Sequence, residues 1–306
     1  MTEERSLDGR VIKSYGNRFI VSTAEGMFDC TMRGKFRLSE AKESSPVVVG
    51  DRVTISIDEP PNAVISLVHE RTNKLSRPDV LKSDWEQILV ANCDQLVVVA
   101  SVTRPKLKLG TIDRFLVAGE AAGLACAVAL TKIDLAKPGS YDRTVEVYRS
   151  AGYSIIPTCA VDGRGIEELR GLVSDKTSIF SGHSGVGKSS LLNALEPGLG
   201  LRTKIVSEAT NRGQHTTTHI ELHPLSIGGF IADTPGIRSI GLWKVTTEDM
   251  PNLYPEFRPF LGQCRFHNCL HAGEPNCRVK QAVDEGAITP ERYETYLRIR
   301  STLDED

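Results

Sequence analysis

Residues 176–195 read KTSIFSGHSGVGKSSLLNAL, and within them Gly182, Gly187, Lys188 and Ser189 fit the G-x-x-x-x-G-K-[ST] spacing of a phosphate-binding loop. A short apolar run precedes the loop and a helix-like run follows it, the two flanks that such a loop requires. Backbone N–H groups from Gly182 through His183, Ser184, Gly185, Val186 and Gly187 turn toward one point, and the new helix aims its positive end there. Lys188 supplies a full charge for the β- and γ-phosphates, Ser189 offers its hydroxyl to Mg²⁺, and Ser190 continues the contact set. By itself the loop predicts a nucleotide and leaves its base open.

Upstream, apolar strands alternate with helical patterns. The run DQLVVVASV at 94–102 is followed by a predicted helix over Thr111–Ala122, then by ACAVALTKIDL at 125–135 and a helix over Asp142–Ala151. YSIIPTCA at 153–160 and a helix over Ile166–Val173 lead into the phosphate-loop strand. Continuous apolar strands separated by helices predict an α/β fold with a doubly wound parallel sheet, whose ligands sit at the carboxyl ends of the strands. TKID, TCA, GHSGVGKS and DTPG all lie at such ends. Asp134 is placed to accept from two donors, which guanine offers as N1–H and its 2-amino group and adenine does not. Lys132, beside Thr131, lays its methylene stem along the base, and the backbone near Cys159 and Ala160 donates to the guanine O6. Asp233 is the expected second Mg²⁺ partner, through water, and the Gly236 N–H meets the γ-phosphate. The polar run Arg202–His219 reads as a functional loop, with one of Thr216, Thr217 and Thr218, taken as Thr217, reaching Mg²⁺ when a γ-phosphate is present.

The first seventy residues read differently. GRVIKSY, RFIVST, MFDCTM, RVTISI and AVISLV predict about five short strands and hence a small closed barrel, either an OB-fold or an SH3-like one. OB-folds bind nucleic acid but also sugars and proteins, and Arg33, Lys35 and Arg37 around Gly34 are either phosphate contacts or a solvated basic loop. The polar stretch His69–Asp84 is expected to be a linker. At the other end Cys264, Cys269, His271 and Cys277 form C-x4-C-x-H-x5-C, three thiolates and an imidazole suited to one structural Zn²⁺, with His267 as a rival ligand. That segment is expected to have too few apolar residues for a core of its own. A last helix opens at Thr289 and Pro290, and its Tyr293, Tyr296, Leu297 and Arg300 form either a packing stripe or an RNA contact.

Length and charge set the bounds. A chain of 306 residues has room for about two domains or three small ones. The charged start and the shortness of the most apolar runs predict a soluble, intracellular protein without membrane contact. A formal charge of −2 gives no global attraction to nucleic acid, and seven cysteines, an odd number with three crowded together, exclude a disulfide framework.

Taken together, TKID, TCA, GHSGVGKS, QHTTT and DTPG resemble the guanine-binding motifs of the translation-factor-like GTPases, with the base motifs placed before the phosphate loop. With a barrel in front and a cysteine cluster behind, the chain resembles the RsgA/YjeQ family of circularly permuted, small ribosomal subunit-dependent GTPases over almost its whole length. The resemblance implies an OB-fold barrel at 1–75, a permuted GTPase domain at 76–245 and a zinc-binding, mostly helical domain at 246–306. It implies GTP hydrolysis with Mg²⁺ by a cytoplasmic monomer that binds the small subunit and its rRNA late in assembly. Two positions depart from the family pattern: Thr131 stands where Asn is usual, which puts bracing of the loop in doubt, and Cys159 where Ser is common. Ile237 occupies the position where many GTPases carry a water-orienting Gln, so unassisted turnover is expected to be slow. His215 either positions that water once a partner orders the loop or is a solvated loop histidine. A binding module with negligible turnover is the competing reading, and Asp134 argues against an ATPase.

Overall fold

The computed structural model describes residues 5–32, 45–59, 62–79, 85–201, 220–233, 242 and 244–303. The chain forms two compact units, one from the described parts of 1–95, 173–180 and 207–241, the other from those of 96–172, 181–206 and 242–306.

The first unit begins with β1 (Arg5–Tyr15), β2 (Arg18–Thr23), β3 (Gly26–Met32), β4 (Arg52–Glu59) and β5 (Asn62–Val68). β1 pairs with β2 and β4, β2 with β3, β3 in parallel with β5, and β5 with β4, so the five strands close into a barrel. Alternation decides which side chains fill it: Phe19 and Val21, Phe28 and Cys30, Val53 and Ile55, Ala63 and Ile65 are two apart and all buried together. β1 serves both neighbours because a register shift between Val11 and Lys13 bends it from one pairing toward the other. The expected linker differs from the structure. β6 (Lys74–Pro78) lies within it and forms an antiparallel hairpin with β7 (Glu86–Ala91). Its pairing is reinforced by polar side chains, Lys74 to Glu86 at 2.9 Å and Arg77 to Gln87 at 2.8 Å, so no apolar alternation announced it.

In the second unit β8 (Gln95–Ser101), β9 (Ala125–Thr131) and β10 (Ser154–Pro157) lie in the order β10-β9-β8, with β9 and β10 parallel. β8 is buried along its whole length, which is why it reads as an unbroken apolar run. The helices fall close to their predicted spans: α1 (Leu109–Ala121), α2 (Asp142–Ser150) and α3 (Ile166–Val173). In the first unit β11 (Thr177–Ser181) runs parallel to β13 (Phe230–Asp233), and β12 (Glu221–Pro224) pairs antiparallel with β13. After the phosphate loop comes α4 (Lys188–Leu195), held by buried Leu191, Leu192 and Leu195.

The C-terminal stretch corrects one expectation, because it does have a core. Met250, Tyr254, Phe257, Val279, Ala282, Ile288, Tyr296 and Ile299 are buried in one cluster with Val117 of α1. Its 3₁₀ segments Met250–Leu253 and Pro255–Phe260 carry three prolines, which break the helical period that would have revealed the apolar face. α5 (Arg278–Asp284) and α6 (Pro290–Ser301) complete it. Tyr293 and Tyr296 of α6 pack with Phe257 in the aromatic cluster, so the packing alternative describes these two residues.

Candidate functional site

The phosphate loop begins where β11 ends. At Gly182 a Cβ would lie 2.2 Å from the Val99 carbonyl oxygen, so only glycine lets the loop pass this close to β8. Gly187 caps α4 with φ of 94°, a left-handed conformation. Between them His183, Ser184 and Gly185 are exposed while Val186 is buried, and the His183 ring meets Phe115 of α1 edge-on at 6.0 Å. Ser189 is half-buried and Ser190 exposed at the start of α4.

The residues expected to recognise the base are tied to this loop. Thr131 is buried at the end of β9, and its hydroxyl lies 2.5 Å from the Val186 carbonyl oxygen and 3.3 Å from that of Ala100. A threonine therefore braces the phosphate loop here. Lys132 takes a left-handed conformation (φ 61°), and its ammonium donates to the carbonyls of Gly185 at 2.6 Å and Arg104 at 2.5 Å. Burial, then the nearby Arg104 charge, lower its pKa. Asp134 sits in the 3₁₀ turn Ile133–Leu135 and accepts from the Cys159 thiol at 3.3 Å. The Cys159 N–H is already given to the Arg164 carbonyl at 2.9 Å, so of the two expected backbone donors only that of Ala160 has no acceptor among the described residues. Thr131→Val keeps the shape and removes the hydroxyl; GDP affinity is expected to fall about three- to ten-fold, measured by titration calorimetry.

Several expected residues lie outside what is described. His215, Thr216, Thr217 and Thr218, Gly236 and Ile237, and Arg33, Lys35 and Arg37 fall outside the described residues, and of Asp233 only the backbone is described, as the last residue of β13.

Cys264, Cys269, His271 and Cys277 converge, with one ligand atom from each lying within 4.8 Å of all the others. His267 is not in this group. The His271 Nδ1 lies 3.5 Å from the Cys264 sulfur and 3.4 Å from that of Cys277, and those two sulfurs are 4.0 Å apart. A tetrahedral ion with metal–sulfur bonds of about 2.3 Å and metal–nitrogen bonds of about 2.0 Å would set neighbouring ligand atoms about 3.5–3.8 Å apart. The cluster could hold a metal ion. Burial lowers the His271 pKa, favouring the neutral ring a metal requires, and burial with the neighbouring thiols pushes Cys269 up to about 12. Backbone N–H groups of Arg278 and Lys280 point at the sulfurs of Cys264 and Cys277, at 3.2 and 3.5 Å.

Sequence reasoning missed the frame around this cluster. The Glu274 carboxylate accepts from the N–H groups of Leu270, Ala272 and Gly273. Burial alone would raise its pKa, yet these donors hold it down to about 2. Tyr293 donates to the His271 carbonyl at 2.8 Å and Tyr296 to that of Leu270 at 2.5 Å. Cys277 is part of the surrounding core and Cys264 and Cys269 pack against it, but most of that core comes from residues 250–257 and 279–299; removing metal with a chelator is therefore expected to raise hydrogen exchange across 264–277 and the first turn of α5. Protection in α6 should persist; its loss would mean that the metal holds the whole stretch.

The sequence and the fold are similar to those of known proteins. The sequence model of the RsgA GTPase matches residues 68–243, and that of the RsgA N-terminal domain matches 8–65. The chain belongs to the RsgA family of GTPases. It is 44% identical to the small ribosomal subunit biogenesis GTPase RsgA of Gemmatimonas aurantiaca over 97% of this chain and 98% of that one. The RsgA of Flavobacterium psychrophilum is 39% identical over 98% and 94%. The crystal structure of YjeQ from Thermotoga maritima superimposes with a TM-score of 0.82 at 36% identity, covering 98% of this chain and 99% of that one. YloQ, a circularly permuted GTPase, gives 0.77 at 30% identity, covering 100% and 98%. The chain is therefore a GTP hydrolase with the permuted order of motifs, preceded by a barrel and followed by a helical region with a possible metal site. Among the described residues no helix is long and apolar enough to cross a membrane.

Proposed function

We propose that this GTPase acts in late maturation of the small ribosomal subunit, binding the subunit and its rRNA as a cytoplasmic monomer, with turnover stimulated by the subunit. The observation that carries the nucleotide part is the direct tie between base loop and phosphate loop, Thr131 to Val186 and Lys132 to Gly185. Asp134 and the Ala160 N–H read the guanine edge, and the backbone of 182–187 with Lys188, Ser189 and Ser190 holds the phosphates. Ser189, Thr217 and Asp233 would hold Mg²⁺, which neutralises charge developing on the phosphate oxygens. Gly236 meets the γ-phosphate and His215 orients water. The metal of the cysteine cluster is Zn²⁺ in a structural role, since four protein ligands leave no open position. Domain limits of 1–75, 76–245 and 246–306 belong to the same reading.

GTP and ATP hydrolysis by the purified chain, alone and with small subunits, large subunits or free RNA, tests it. A GTP-specific rise with small subunits alone is expected. GDP binding without stimulation by any particle would favour the competing reading, a binding switch with negligible turnover. His215→Ala is expected to depress stimulated turnover and spare GDP binding; loss of both would give His215 a structural role.

A further inference from the structure

β12 opens at Glu221, four residues after Thr217 in the sequence. On one side Glu221 stands directly opposite Asp233, the last residue of β13, and on the other opposite Lys13 of β1. Asp233 in turn stands opposite Phe180 of β11, two residues before Gly182 in the sequence. One cross-strand row therefore runs from the barrel through the start of β12 to the end of β13 and on to β11. The barrel end of this row is held by charge. The Lys13 ammonium lies 2.7 Å from the Glu221 carboxylate, with both side chains half-buried, and sits over the Tyr15 ring at 5.0 Å from its centroid. A β-bulge aims it there: Val11 and Ile12 are both buried, which breaks the in-and-out alternation of β1, and the register shifts between Val11 and Lys13. Lys13 is no part of the barrel's own core. Among the described residues Lys13 and Glu221 are the only register pair between β1 and β12, whereas β12 is paired with β13 along all four of its residues.

We propose that Lys13 and Glu221 are positioning residues for GTP turnover. Their pair holds the first residue of β12 in the row of Asp233, so that the segment carrying Thr217 starts from a fixed point beside the other expected Mg²⁺ partner. This deepens the reading of Thr217 and Asp233 as Mg²⁺ partners and rests on it. Because the Thr217 contact needs a γ-phosphate, the pair acts on the GTP-bound form and not on the GDP-bound one. A cross-strand ion pair changes such an equilibrium by up to about five-fold.

The full-length chain is assayed for the Mg²⁺ concentration that half-saturates GTP turnover, and GDP affinity is measured alongside. Lys13→Met keeps the apolar stem and removes the charge. It is expected to raise the Mg²⁺ requirement about two- to five-fold with GDP affinity unchanged, and Lys13→Arg to retain the native value. Glu221→Gln should have the same effect as Lys13→Met, and combining the two should add nothing, since one interaction is lost either way. The proposal is overturned if Lys13→Met leaves the requirement unchanged, if GDP affinity falls by the same factor, or if the two changes add. Thr217→Ala separates it from the reading beneath it. If Thr217→Ala does not raise the requirement, the Mg²⁺ reading fails and the proposal falls with it; a raised requirement in Thr217→Ala beside a silent Lys13→Met overturns the proposal alone.

Discussion

Replacing Arg292 with methionine is expected to destabilise the fold by about 3–5 kcal/mol. Arg292, on α6, is fully buried and donates to Asp113 of α1 at 2.6 Å and to both oxygens of Glu256 at 2.6 and 3.2 Å. Thr295, one turn on, donates to the other Asp113 oxygen, and the guanidinium lies 4.4 Å over the Tyr254 ring. Burial opposes the charge on Arg292, but the two carboxylates outweigh it and raise its pKa well above the ordinary value. Without the arginine, two carboxylates would remain in the interior with no cation, and their desolvation is the cost measured. Urea unfolding of the native protein and of the Arg292→Met variant reads the difference directly. The triple replacement Asp113→Leu, Glu256→Leu and Arg292→Met is expected to recover most of the loss, because an apolar cluster needs no compensation. A loss below about 1 kcal/mol for the single change would mean that water reaches the pair.

Gly182→Ala is the second large effect. The added Cβ would fall 2.2 Å from the Val99 carbonyl oxygen and 3.1 Å from its carbon, both backbone atoms of a fully buried strand that has nowhere to move. The phosphate loop must give way instead. A displacement of about 1 Å at the reacting phosphates is expected to reduce GTP turnover about 100-fold. Gly171→Ala on α3 is the control: nothing lies within 4 Å of its Cβ, so nucleotide binding should be unchanged and stability should rise by about 0.5–1 kcal/mol. If Gly182→Ala retained turnover, the loop would have to tolerate a shift that its backbone contacts oppose.

Much of this protein is legible in one dimension. The strand and helix alternation from β8 to β11 follows from apolar runs that must be buried on both faces, and the barrel from side chains that alternate in and out. The phosphate-loop pattern, the Asp134 position expected to meet the base and the four cysteine and histidine positions that converge on one cluster are local patterns whose chemistry fixes their spacing, so the sequence alone singled them out. What it left open depends on groups far apart in sequence. That Thr131 meets Val186, that the Cys159 N–H is already engaged, and that His271 turns its Nδ1 to the cysteines are facts of backbone direction, not of residue type. The same holds for Arg292, which reads as one more surface charge on a polar helix until α1 and the proline-rich turns bring Asp113 and Glu256 against it. Sequence determines which residues carry chemistry, since that follows from their side chains and local spacing; only tertiary packing decides which of their donors and charges are already satisfied, because each partner comes from another element.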